Sequence, residues 1–260
     1  PLEKRGRAIG VLVAAITLAY VVGAPTIGVI ADFGGWRSVM ILLSLPFALI
    51  SLFLAFFVVP NKPHINALPE KEPFFAGCKL AFSNRSTIAA LMVTMFVLCE
   101  SAIGYYSVSY FRQQFNMSIM WGSSFVLVGN ILGAIGGAVA GLLVNRVGRK
   151  RLGAVTCVVA GVLTVTFTFM PTVELSGALS ILRFWFSTMT FTAGGSLIIE
   201  QLPKFRSTMV SLNAAFMNLG MLLASLIAGI VLDFYSYQAV GVALGSLGIL
   251  GAAVWILLVK

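Results

Sequence analysis

Charge is scarce in this chain. Asp, Glu, Lys and Arg together supply 10% of its 260 residues, against about 25% in an average soluble domain. Six long runs hold none at all: 8–31, 38–61, 113–145, 152–173, 207–232 and 234–259. About 18 consecutive apolar residues suffice for a membrane span, and no soluble core absorbs six such runs. Histidine occurs once, at His64, so no histidine pair is available for acid–base work. The three cysteines, Cys78, Cys99 and Cys157, lack C-x-x-C spacing, and two of them lie in apolar runs. Free thiols are expected, with neither a disulfide framework nor a metal site. A nucleophile elbow, an H-E-x-x-H pair and a phosphate loop are all missing, which excludes the usual hydrolase designs and direct ATP-driven pumping. No cofactor is called for. A cleavable signal peptide is lacking too, and the chain opens Pro1-Leu2-Glu3-Lys4-Arg5 without methionine, so the true N-terminus is expected upstream.

What is present is hydrophobic length. The pattern predicts an all-α integral membrane protein with about eight transmembrane helices, near 8–31, 37–59, 87–111, 120–143, 152–170, 177–200, 207–232 and 237–259. In lipid the backbone must bond to itself, and runs this continuous rule out the alternating strands of a barrel. The net charge of +9 then has a topological reading. Of the 17 Lys and Arg, fourteen fall in alternate loops and ends: Lys4, Arg5, Arg7, Lys62, Lys71, Lys79, Arg85, Arg146, Arg149, Lys150, Arg151, Lys204, Arg206 and Lys260. The opposite loops hold only Arg37 and Arg112, and Arg183 lies inside the sixth span. The positive-inside rule therefore places both chain ends in the cytoplasm of a multi-pass plasma-membrane protein. No nucleic-acid partner is expected.

One connection is long. Residues 60–86 carry four prolines, mixed charges and His64, and 73–82 read as a short interfacial helix. The predicted organisation is 1–59, two helices ending an N-terminal half; 60–86, a cytoplasmic linker; and 87–260, a six-helix C-terminal bundle.

The sequence also repeats. KRGRAIGVLVAAITLAYVVGAPTIGVIAD at 4–32 parallels KFRSTMVSLNAAFMNLGMLLASLIAGIVLD at 204–233, each passing Ala-Ala and ending Gly-x-x-x-Asp. Their starts are six spans apart, as in a transporter made of two six-helix halves. Gly141-Leu-Leu-Val-Asn145-Arg146-Val-Gly148-Arg149-Lys150-Arg151 resembles the cytoplasmic loop signature G-x-L-x-D-R-x-G-R-[KR] of the major facilitator superfamily. Gly23-Ala-Pro25-Thr-Ile-Gly28, followed by Gly35-Trp36-Arg37, is similar to the glycine–proline motif of that family's fifth helix in drug and sugar efflux antiporters. The resemblance covers the whole chain. It implies family helices five to twelve, with the first four absent. Asn145 stands where the signature has Asp, which puts a charge-assisted gating contact there in doubt. Pro25 favours a kink, while Gly23 and Gly28 permit close helix approach. Gly129, Gly133, Gly137 and Gly141 form one bare ridge on the fourth span, either a static packing seam or a sliding interface between halves.

Two ionisable residues sit well inside spans. A charge at a helix centre costs about 3 kcal/mol on insertion scales and usually faces a cavity or a partner. Glu100 is in the third span, on one face with Gly104 and Ser107. Arg183 begins a stripe continued by Ser187, Thr190 and Gly194 at spacings that keep them on one face. Glu100 is read as a proton-coupling or substrate-binding carboxylate; a structural hydrogen bond or ion pair is the alternative. Arg183 lies nearer the outer side, where it could instead snorkel; a close pair with Glu100 is left open. Tyr106 and Asn130 are further candidates, Asn213 and Asn218 weaker ones. The aromatics Tyr105, Tyr110, Phe184 and Trp185 could grip a flat substrate, though packing explains each. The second and eighth spans carry almost no polar residues and are expected to face lipid.

The expected function is a monomeric secondary transporter that moves a small molecule by alternating access on a proton gradient. The glycine–proline motif favours efflux. A proton-coupled importer of sugars or metabolites, or a transporter-like sensor that moves nothing, shares the other features.

Overall fold

The computed structural model describes residues 19, 22–23, 25–58 and 74–259. Most of the first predicted span and most of the 60–86 linker, with His64, lie outside the described residues. Among the described residues the chain is helical throughout and holds no strand. The helices are α1 (Pro25–Val58), α2 (Phe74–Ser83), α3 (Arg85–Ser101), α4 (Ile103–Phe115), α5 (Ile119–Val147), α6 (Arg149–Phe167), α7 (Val173–Gln201), α8 (Arg206–Phe234) and α9 (Tyr237–Leu258). Among the described residues six helices are long and apolar enough to cross a membrane, α3 and α4 counting as one rod. The 29-residue α7 is as long as α5, and it carries Glu174, Arg183 and Glu200.

Local chemistry sets the boundaries. The Asn84 side chain caps α3 by accepting from Ser86 N at 2.9 Å, and Ser118 caps α5 through Trp121 N at 3.3 Å. The α5–α6 corner turns at Gly148, whose φ of +88° suits a residue without Cβ. The third span breaks at Ala102, between α3 and α4, where Tyr105 N bonds back to the Ala102 carbonyl at 3.0 Å.

Helices α3 to α9 form one bundle. α7 packs between α5 and α6, α9 lies along α6 and α3, and α8 covers the other side of α3. The short α2 sits on α8, with Gly77 against Phe205 and Thr208, and exposes Phe74, Phe75 and Phe82. At one end of the bundle an aromatic cluster joins Tyr110 edge-on to Phe111, Phe115, Phe167 and Tyr237.

Two expectations are corrected. The turn expected at 32–36 is absent, and α1 runs on through it, with a π-helical stretch at Met40–Ser44. The most apolar stretch of α1 has no buried residue, so no packing partner forces a reversal. Only Gly35, at φ +71°, marks the place. The last span does not simply face lipid. Gly241, Gly245, Gly248 and Gly251 are buried on one face of α9, and bare backbone lets that face press against α3 and α6. A Cβ on Gly245 would lie 2.7 Å from the Gly161 carbonyl oxygen, and one on Gly251 would lie 3.0 Å from Phe96 Cβ.

Candidate functional site

Glu100 is the next-to-last residue of α3 and is 2% exposed. Groups from three helices gather on its carboxylate. Thr164 of α6 donates to Oε1 at 2.5 Å. Ser187 of α7 donates to Oε2 at 2.9 Å, and neighbouring Ser101 to the same oxygen at 3.3 Å. Arg183 of α7 brings Nη1 to 3.4 Å from Oε1. The fourth wall is α9, where Gly248 leaves room for the Glu100 stem. Burying a charge is costly unless it is paired and hydrogen-bonded, and here both conditions are met for the carboxylate.

The guanidinium is less well served. Arg183 is 1% exposed, lies over the Phe184 ring with Cζ 4.3 Å from its centroid, and leaves Nε and Nη2 without hydrogen-bond partners. The ring face supplies a cation–π contact. The close Glu100–Arg183 pair, left open by the sequence, is formed because the long arginine side chain spans the offset between the two positions.

One helical turn from this network lies a cavity of about 260 Å³. From α3 it is lined by Val93, Thr94 and Val97, and from α7 by Thr190, Phe191, Gly194 and Gly195. Asn213 and Met217 of α8 and Trp255 of α9 complete it. The Trp255 ring occupies a slot opened by two glycines: a Cβ on Gly153 would lie 2.2 Å, and one on Gly194 3.3 Å, from its Cη2. Thr190 bonds to Thr156 of α6 at 2.8 Å. The predicted stripe therefore divides. Arg183 and Ser187 reach Glu100, while Thr190 and Gly194 line the cavity.

Other candidates fall elsewhere. Ser107 lies about two turns along the span from Glu100 and bonds the Ile103 carbonyl at 3.1 Å. Asn130 does the same to Val126 at 2.9 Å, and Asn218 to Ala214 at 2.8 Å. Tyr106 packs in the apolar cluster around Phe111 and Phe167, as does Tyr110. Phe184 and Trp185 pack against the glycines of α5. On that ridge Gly129 meets the Phe184 ring and Gly133 and Gly137 meet Thr188, all on α7 within the bundle, while Gly141 has open space around it. Of the glycine–proline motif, Gly23 meets nothing within 4 Å, Pro25 lies in α1, and Gly28 approaches Ser123 and Met120 of α5. In the loop signature Asn145 and Arg146 are exposed, and Arg149 forms an ion pair with Glu200 of α7.

Thr164, Trp255, Gly248 and Glu200 were not singled out from sequence. Thr156 and Thr164 stand eight residues apart on one face of α6, a readable signal. Nothing in the sequence marks Trp255.

A multi-span bundle with a buried ion pair beside a cavity has the architecture of a membrane transporter. The chain belongs to the Major Facilitator Superfamily, whose sequence model matches residues 1–188. It is a transporter family, and the chain is not read as an enzyme. Among solved structures it is similar to a bacterial homolog of the human lysosomal transporter Spinster in an inward-facing, unoccupied conformation. The TM-score is 0.62 at 16% identity, over 98% of this chain and 68% of that one. At that identity the likeness speaks for the fold.

Proposed function

We propose that the chain forms family helices five to twelve of a proton-coupled efflux transporter, working as a monomer in the plasma membrane with its described basic loops in the cytoplasm. The observation that carries this reading is Glu100, a carboxylate inside the bundle held by Thr164, Ser187 and Arg183. A single proton on Glu100 removes the charge that Arg183 opposes and weakens the tie between α3 and α7. Both helices line the adjacent cavity, so protonation and cavity shape are coupled through the same residues. Residues 87–260 act as one rocking bundle, and 1–59 belong to the other. Efflux is favoured by the Gly23–Pro25–Gly28 motif, whose Gly28 seats α1 closely against α5.

The test is flux in liposomes containing the full-length protein, with and without an imposed proton gradient. Glu100→Gln should abolish gradient-driven accumulation while exchange of a neutral substrate continues, and Glu100→Asp should keep part of the activity. Uphill transport by Glu100→Gln at the parental rate would assign Glu100 to structure alone.

A further inference from the structure

An ionised carboxylate only accepts hydrogen bonds, at about four lone-pair positions, and Glu100 has four donors. They divide evenly between its oxygens. Thr164 and Arg183 Nη1 meet Oε1 at 2.5 and 3.4 Å, and Ser187 and Ser101 meet Oε2 at 2.9 and 3.3 Å. Glu100, Thr164, Arg183 and Ser187 are all buried, so the network is closed within the bundle. An added proton would nonetheless find the two oxygens unequal. A guanidinium has no lone pair to offer, so an O–H on Oε1 would face a cation. Both neighbours of Oε2 are hydroxyls, which accept as well as donate. The remaining titratable groups beside Glu100 are thiols whose protons are already engaged. Cys157 of α6 donates to the Gly248 carbonyl at 3.1 Å, and Cys99 of α3 donates to the Gly220 carbonyl at 3.1 Å.

Ser187 also stands apart on its own helix. Ser180, Thr188, Thr190, Thr192 and Ser196 of α7 each donate to a carbonyl three or four residues back, at 2.8–3.0 Å, the common arrangement of a helical hydroxyl. Ser187 gives its proton to Glu100 instead. The Arg183 carbonyl, four residues back, keeps a second lone pair for that proton. We infer that the coupling proton is taken on Glu100 Oε2 and that Ser187 is the positioning residue that receives it. The new O–H donates to Ser187 Oγ, and Ser187 turns its own O–H to the Arg183 carbonyl. Thr164 goes on donating to Oε1, which becomes the carbonyl oxygen of the acid. One proton is gained and no other bond is made or broken, so the hydroxyl contact between α3 and α7 reverses its sense while that between α3 and α6 stays. The inference deepens the proton-coupling reading of Glu100 and rests on it for any consequence in transport.

The experiment is infrared difference spectroscopy of the full-length protein in lipid bilayers of heavy water, acid buffer against alkaline. The bands of the Glu100 acid are those lost in Glu100→Gln. Accepting a hydrogen bond weakens a C=O bond and lowers its stretch. Thr164→Val should therefore raise the C=O stretch, and Thr164→Ser should restore it. Ser187→Ala should leave the C=O stretch in place and raise the O–D stretch, which has lost its acceptor; Ser187→Thr should restore that band, and Ser101→Ala should move neither. A C=O stretch raised by Ser187→Ala or indifferent to Thr164→Val overturns the assignment. So does an O–D stretch that answers to Ser101→Ala instead, or the absence of any band lost in Glu100→Gln. Flux separates the two claims. The expected bands with uphill transport intact in Glu100→Gln refute the coupling reading alone, and the reverse bands with that transport lost refute the assignment alone.

Discussion

Gly248 of α9 lies so close to Glu100 of α3 that a Cβ there would sit 2.8 Å from the Glu100 Cγ and 3.0 Å from its Cβ. The carboxylate's place is therefore fixed by an absence of side chain on the opposite helix. Gly248→Val should displace Glu100 from Thr164 and Ser187 and lower stability by about 1–3 kcal/mol, the usual penalty of overpacking. Gly141→Ala is the control, because nothing lies within 4 Å of a Cβ there; its effect should stay within about 0.5 kcal/mol. Thermal unfolding of the purified variants checks both, and equal losses would refute the contact.

Removing one member of the buried pair is expected to hurt more than removing both. Arg183→Leu leaves Glu100 buried without its cation, a change that typically costs about 3–5 kcal/mol. Adding Glu100→Gln to Arg183→Leu should restore part of that loss. A double-mutant cycle on unfolding free energies reads the coupling directly, and strictly additive losses would show that the two side chains do not interact.

The approach of α1 to α5 can be trapped. A Cβ on Gly28 would lie 3.8 Å from Ser123 Cβ, inside the range of about 3.5–4.5 Å found across disulfides. Gly28→Cys with Ser123→Cys, in a background where Cys78, Cys99 and Cys157 are serine, should crosslink on mild oxidation and stop transport until reduced. Failure to crosslink would separate the two helices at this level.

At the end of the bundle that carries the loop signature, Arg149 and Glu200 pair with their side chains 31% and 54% exposed. Pairs this open contribute about 0–1 kcal/mol, so Glu200→Gln should leave the melting temperature nearly unchanged. Its expected effect is on transport rate, because the pair links the start of α6 to the end of α7. The exchange Arg149→Glu with Glu200→Arg should recover the rate. An unchanged rate in Glu200→Gln would make the pair incidental.

The spans and the two intramembrane charges were legible because hydropathy and helical spacing are properties of a single segment. Glu100 and Arg183 stood out against otherwise uncharged runs, and the spacing from Arg183 to Gly194 announced one face. What was not legible depends on pairs of segments. Whether Arg183 reaches Glu100 is set by the offset of α7 against α3. The one-residue break at Ala102 follows from no nearby proline or glycine pair. Trp255 was hidden by a polarity argument: α9 looked like a lipid-facing helix because its working surface is made of glycine, which registers as neither polar nor bulky. The slot for its ring comes from Gly153 and Gly194, on two other helices, and no reading of α9 alone finds them.

The unbroken α1 has a consequence for the bilayer. Its 34 residues, at about 1.5 Å each, make a rod of roughly 51 Å, while the hydrocarbon layer is about 30 Å thick. A rod that outruns its solvent must tilt, thin its surroundings or push apolar side chains into water. Trp36 and Arg37 stand near its first third, with Phe33 91% exposed beside them. Folding over at Gly35, whose backbone already has a left-handed φ, would bring both arms within the slab and leave the arginine at its surface. For this segment the hydrocarbon layer is the packing surface, and its thickness is a constraint that a single straight helix of this length does not meet.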